Sequence, residues 1–316
     1  MRIAMTGVVN KLSTSLSSHN AGWTYATKSC LETYFNQEVE ILKDYTKYND
    51  YDVLVINEGV NYRENVFNFF GGVQEDQVLA LESFSGFQGD LYCVNTPVDY
   101  NILLTKRKEL QDLDITFRIP RVIDITQVSD KLVLGDSHSV SVYNPGYGIS
   151  RNDGKTLHGF LKIGIKNFIP DTIKHLIFYA GNIDARFHFC RFGHENMLSK
   201  LYELEKQLLD LNLESITLVK LIPIEDESRK LPKTGLYKGE KFFGTREERS
   251  LKVKLYNQVL ETICQKNGWN ILSWPFDYEN FSFDDMEARQ SVHLRPSSYM
   301  FKDKFIKDDR QVLELF

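Results

Sequence analysis

Among the residues of this chain that can do chemistry, Ser137 is the best placed. It lies in Gly135-Asp136-Ser137-His138-Ser139, directly after the apolar run Leu132-Val133-Leu134. A short apolar run closed by glycine reads as a buried strand. A serine just past such a strand stands at the edge of the sheet on rigid backbone, where open α/β sheets collect their sites. A serine hydroxyl is a weak nucleophile. It needs a base within hydrogen-bond reach and donors for the oxyanion that forms on the substrate. The same residues also suit an ordinary turn or helix cap, and spacing alone leaves both readings open. Asp136 reads as an organiser of the turn and as a candidate substrate contact. His138 faces either into the cleft or away from it.

A second polar cluster follows the apolar run at 173–180. It reads Gly181-Asn182-Ile183-Asp184-Ala185-Arg186-Phe187-His188. Asp184 and Arg186, two apart on one strand-end loop, form either a structural ion pair or a pair that shapes a substrate pocket, with His188 beside them. His188 and His194 flank Cys190, but the spacing matches no common metal site, so no metal is expected. There is no Gly-x-Gly-x-x-Gly and no Walker A lysine pattern, so no cofactor is expected either. Residues 230–249, rich in Gly, Lys, Glu and Arg, read as a long loop that overhangs the site or simply lies in solvent.

The elements that must position these residues alternate between strand and helix. The first segment predicts strands at 2–9, 39–42, 51–57 and 89–94 and helices at 24–35 and 74–84. The second predicts strands at 131–134, 173–180, 215–223 and 269–274 and helices at 195–210 and 247–266. The continuous apolar run Val53-Leu54-Val55-Ile56 is the pattern of a strand buried on both faces, as in parallel sheets. Strands alternating with helices argue for α/β sheets covered on both faces. A polar stretch at 105–114 followed by Pro120 marks a boundary, with a small domain at 1–115 and a larger one at 116–316.

Composition narrows the function. With 316 residues there is length for two cores. Hydrophobic residues make up 42%, as in an ordinary water-soluble chain. The net charge of −5, with no dense Lys/Arg stretch, gives no support to a broad nucleic-acid-binding face. The four cysteines are far apart with no Cys-x-x-Cys pair, which fits reduced thiols in a cytosol rather than a zinc knuckle or a disulfide framework. The N-terminus has no signal-peptide pattern, and no apolar run is long enough to span a membrane. The expectation is a cytoplasmic protein with no membrane partner.

Taken in order, the strand-end blocks of the second segment resemble the SGNH (GDSL-type) hydrolase family. Gly135-Asp136-Ser137 resembles its first block, which carries the nucleophile. Gly146 and Gly148 stand where the second block supplies a glycine N–H to the oxyanion hole. The stretch Gly181 to His188 stands where the third block does, with Asn182 as the side-chain donor, one position early. Gln290-Ser291-Val292-His293-Leu294 resembles the last block, with His293 as base. The resemblance implies a three-layer parallel-sheet hydrolase domain acting through an acyl-enzyme on Ser137. It also implies a departure, because the family's aspartate stands at Gln290 here. Three arrangements stay open: a Ser–His dyad, a carboxylate supplied by Asp284, Asp285 or Glu287, or a weakened site.

In the first segment, Asn68-Phe69-Phe70-Gly71-Gly72 after the 51–57 strand resembles the N-terminal, Rossmann-like domain of phage DNA β-glucosyltransferase. This implies a smaller Rossmann-like α/β domain ahead of the hydrolase domain, and a phage-type origin in a host cytoplasm. The function implied is a serine-dependent esterase or deacylase on an acylated carbohydrate or a modified nucleotide-type substrate. An acyltransferase on the same scaffold, and a phage DNA- or sugar-binding protein with a degenerate site, remain alternatives.

Overall fold

A computed structural model of the chain describes residues 1–6, 18–42, 45–57, 86–94, 121–224, 239–276 and 292–304. The expected helix at 74–84 lies outside them. The chain passes from one compact unit to another between Val128 and Ser129.

The first unit holds a five-stranded sheet of β1 (Ile3–Thr6), β2 (Val39–Leu42), β3 (Val53–Ile56), β4 (Asp90–Val94) and β5 (Arg121–Ile123). All the pairings are parallel, in the order β2-β1-β3-β4-β5. Ile3, Val53 and Leu54 are almost fully buried, as the continuous apolar runs require. β5 lies in the stretch after 116, yet its partner is β4. A helix, Ser18–Phe35, crosses from β1 to β2.

The second unit repeats the plan with β6 (Lys131–Gly135), β7 (Gly148–Arg151), β8 (His175–Tyr179), β9 (Ser215–Val219) and β10 (Asn270–Leu272). The sheet is again parallel, in the order β10-β9-β8-β6-β7. Counted along the chain within each unit, both sheets run second-first-third-fourth-fifth among the described residues. That is the flavodoxin-type winding, whereas a Rossmann sheet runs 3-2-1-4-5-6. Such a sheet has one switch point, between its first and third strands, where connections leave in opposite directions and open a crevice at the carboxyl ends. Here it lies between β6 and β8.

Helices Leu157–Ile163, Asn182–Phe187, Phe189–Leu209 and Arg246–Asn267 accompany the second sheet. Leu201, Leu204 and Leu208 of the third are buried, the stripe that the 3.6-residue period gives. The fourth starts at a capping box, in which Thr245 accepts from the Glu248 N–H while the Glu248 carboxylate accepts from the Thr245 N–H. The loop expected to run to Arg249 therefore ends at Thr245. Its last turn lies against the third-block stretch, with Phe243 N donating to Arg186 O at 3.0 Å and the Phe242 ring 5.4 Å from that of Phe187. Residues 230–238 of that loop lie outside the described set.

Candidate active site

β6 ends at Gly135, and this glycine is forced by close packing. A Cβ there would stand 2.2 Å from the Tyr179 carbonyl oxygen of β8. Asp136 N donates to that same oxygen at 3.2 Å. The chain then turns into a 3-10 helix, Ser137–Val142, capped by Asp136, whose Oδ1 accepts from His138 N at 2.9 Å. The turn is local chemistry: a short acidic side chain takes an N–H that the helix start leaves without a partner.

Ser137 and His293 meet. Their atoms Oγ and Nε2 are 2.9 Å apart, across 156 residues of chain. This is within the reach required of a nucleophile and its base. His138 is the competing imidazole. Its Nδ1 is 3.5 Å from Ser137 Oγ, at the limit of a hydrogen bond, and 3.1 Å from Asp136 Oδ1. His293 is therefore the imidazole closer to Ser137 Oγ.

The segment bearing His293 is tied to the segment bearing Ser137. Met300 N donates to Ser141 O at 2.9 Å, Lys304 Nζ to Asn144 Oδ1 at 3.0 Å, and Leu294 and Tyr299 are buried. Asn182 starts the short helix after β8, across the switch point. It is 3% exposed, its Oδ1 accepts from the Tyr179 hydroxyl at 3.2 Å, and its Nδ2 has no hydrogen-bond partner among the described residues. A buried amide N–H without an acceptor costs about 1–3 kcal/mol. The loop is held from behind by Tyr256, whose hydroxyl donates to Ala180 O at 2.9 Å. Burial, with the nearby Asp184 and Asp136 carboxylates, pushes that hydroxyl far above its usual range and keeps it a neutral donor. Gly181 has φ +120°, and a Cβ on it would meet the Tyr256 hydroxyl at 3.1 Å.

Other sequence candidates stand elsewhere. Gly148 pairs with Leu132 at the start of β6, while Arg151 pairs with Gly135 at its end. Gly148, and Gly146 before it, therefore lie at the amino end of the sheet, about 10 Å of strand away from the serine edge. They are not placed to donate to an oxyanion. The residues at the correct end are Asn152, Asp153 and Gly154. There Asn152 N donates to Gly135 O at 2.8 Å, and Arg151 grips Asp153 through two bonds of 2.6 and 2.8 Å. The expectation failed because Gly148-Ile149-Ser150-Arg151 is an edge strand with one large apolar residue, too weak a pattern to be seen as a strand.

Asp184 is not in a pocket. It is fully buried, its Oδ2 accepts from Leu157 N at 2.6 Å, and its Oδ1 lies 3.0 Å from His188 Nδ1. Both oxygens serve the start of a neighbouring helix and its own turn. Arg186 is also buried, at 2% exposed. Neither Asp136 nor His138 is open to a substrate, at 0% and 2% exposed. Asp184 thus serves the packing of the two helices. Asp184→Ala is expected to lower unfolding free energy by about 2–3 kcal/mol, the cost of leaving a buried N–H without its charged acceptor. Asp184→Asn should lose less, because an amide oxygen still accepts from Leu157. Urea unfolding of the two variants checks the order.

Gln290, Asp284 and Asp285 lie outside the described residues. Cys30, Cys93 and Cys264 are buried free thiols and Cys190 a half-buried one. Among the described residues, no helix is long and apolar enough to cross a membrane, and no group of three His, Cys, Asp or Glu side chains is disposed to hold a metal.

The second unit is thus a doubly wound parallel α/β unit with a hydrogen-bonded serine and histidine at the carboxyl edge of its sheet, the arrangement of a serine hydrolase site. Among solved structures, the chain is similar to a GDSL-like lipase from Bacteroides thetaiotaomicron VPI-5482, at 14% identity and a TM-score of 0.40, over 69% of this chain and 98% of that one. It is also similar to a carbohydrate acetylesterase from Sinorhizobium meliloti, at 15% identity and a TM-score of 0.37, over 59% of this chain and all of that one. No protein-family profile and no curated protein matches the sequence. The comparisons lend no support to the glucosyltransferase resemblance, and Asn68 to Gly72 lie outside the described residues.

Proposed function

We propose that the second unit is a serine-dependent esterase or deacylase. The observation that carries this reading is the 2.9 Å contact between Ser137 Oγ and His293 Nε2 at the switch point of the sheet. The Ser137 hydroxyl donates to Nε2. As Oγ attacks an acyl carbonyl, the proton passes to His293, and negative charge moves to the carbonyl oxygen. The Ser137 N–H and Asn182 Nδ2 are the donors that receive it. His293 then returns the proton to the leaving alkoxide or amine, which leaves an acyl group on Ser137. A water, deprotonated by His293, attacks that ester and frees Ser137.

His293 works either with Ser137 alone or with a carboxylate from Asp284, Asp285 or Glu287, and the reading holds for both. An acylated carbohydrate or a modified nucleotide-type molecule is the substrate class that the sequence resemblance suggests. The burial of Asp184 and Arg186 moves the choice of substrate away from that cluster.

The test is hydrolysis of p-nitrophenyl acetate together with labelling by an active-serine phosphonate. Turnover is expected, with one phosphonate on Ser137. Asn182→Ala should lower kcat by about 10²–10³-fold, as loss of one oxyanion donor does. A protein that neither hydrolyses the ester nor takes the phosphonate ends this reading.

A further inference from the structure

His138 follows the nucleophile directly, yet its closer contacts lie away from the serine, whose Oγ is 3.5 Å from Nδ1. Its Nδ1 lies 3.1 Å from Asp136 Oδ1 and its Nε2 lies 2.8 Å from the carbonyl oxygen of Val292, 154 residues away. Val292 is the residue before His293. A carboxylate oxygen and a peptide carbonyl both accept, so the two contacts are made together when both ring nitrogens carry hydrogen. The pair is shut away from water, with Asp136 at 0% and His138 at 2% exposed. Asp136 is itself anchored, since its N–H donates to Tyr179 O of β8 at 3.2 Å and its Oδ1 also accepts from His138 N. The rings of His138 and His293 lie side by side, with centroids 4.8 Å apart and planes tilted by 43°.

The other ties already described join the segment through Met300 and Lys304, well past His293. His138 ties the residue directly before the base. We propose that His138 is a positioning residue. Asp136 fixes its ring to the end of β6, and its Nε2–H holds the Val292 carbonyl, so a buried pair on the nucleophile's own turn sets where His293 Nε2 stands relative to Ser137 Oγ. The proposal rests on the esterase reading, in which His293 is the base.

Two substitutions separate this role from a filling role in the core. His138→Gln places an amide N–H near the old Nε2 and keeps the bond to Val292. His138→Asn places one near the old Nδ1 and keeps the bond to Asp136 alone. His138→Asn is expected to lose about 10²-fold in kcat on p-nitrophenyl acetate, as a displacement on the order of 1 Å does, with KM unchanged. His138→Gln should keep kcat within about tenfold of the parent. Crystal structures of both variants give a readout that needs no activity: the Ser137–His293 contact lengthens in the Asn variant and holds in the Gln variant. Equal loss in both variants, loss in neither, or loss in KM alone overturns the proposal, as does an unchanged contact in the Asn variant. An inactive parent protein that takes no phosphonate overturns the esterase reading instead, and the two crystal structures still decide whether His138 sets the position of His293.

Discussion

Ser137→Ala is expected to abolish ester turnover and to leave the fold standing. The expected fall in kcat is about 10⁴-fold or more, the scale on which serine hydrolases lose rate when the nucleophile is removed. The reason is covalent: without Oγ there is no acyl-enzyme, and a bound water attacking directly lacks the alignment that the backbone gives to the serine. Stability should change little. The hydroxyl is tied to His293 at 2.9 Å and more loosely to His138 at 3.5 Å, and a part-exposed hydrogen bond is worth about 1 kcal/mol. The measurements are kcat on p-nitrophenyl acetate, stoichiometric phosphonate labelling and the urea midpoint. A variant that retains the parent's kcat would remove Ser137 from the mechanism, whatever the geometry.

His293→Ala should come next in size, with kcat lower by about 10³–10⁴-fold, the upper range of what a positioned acid–base group contributes. KM should stay within a few-fold, because the imidazole acts on the serine proton rather than on the acyl chain. The same variant should take up the phosphonate far more slowly, since labelling needs the same proton removed. This pairing of readouts separates the base from a substrate contact. If His293→Ala raised KM and left the labelling rate unchanged, the base would have to be sought elsewhere. His138 is then the only other imidazole found near Oγ among the described residues, although Asp136 already engages the ring nitrogen that faces it.

Much of the frame was legible before any coordinates. Leu132-Val133-Leu134 announces a buried strand, and β6 runs there, from Lys131 to Gly135. The strands expected at 39–42, 89–94 and 173–180 and the helices at 195–210 and 247–266 correspond to observed elements, with shifts at their ends. These are long or strongly apolar segments, in which local pattern and burial agree. β7 was missed because an edge strand has a partner on one side only and needs little apolar sequence to persist. The error carried into the site, since Gly146 and Gly148 were read as a strand-end loop at the wrong end of the sheet.

Ser137 and His293 were legible as types and in order along the chain. Their contact was not, because it depends on residues 292–304 lying against the turn that follows β6. Asp184 shows the opposite limit. Its place in a polar strand-end cluster suggested a pocket, but its acceptor role is taken by Leu157 N, 27 residues earlier in the chain. The role of His138 was equally hidden: its ring nitrogens are claimed by a neighbour two residues back and by a carbonyl far along the chain.

The sequence by itself determined which stretches are buried strands, that they alternate with helices, and that a serine follows one of them. Periodicity and apolar runs encode burial locally, and that is enough for the frame. Only the tertiary structure decided which strand-end polar groups meet each other. That choice is made by strand register and loop path, which bring together atoms far apart in the chain and leave no trace in any local pattern.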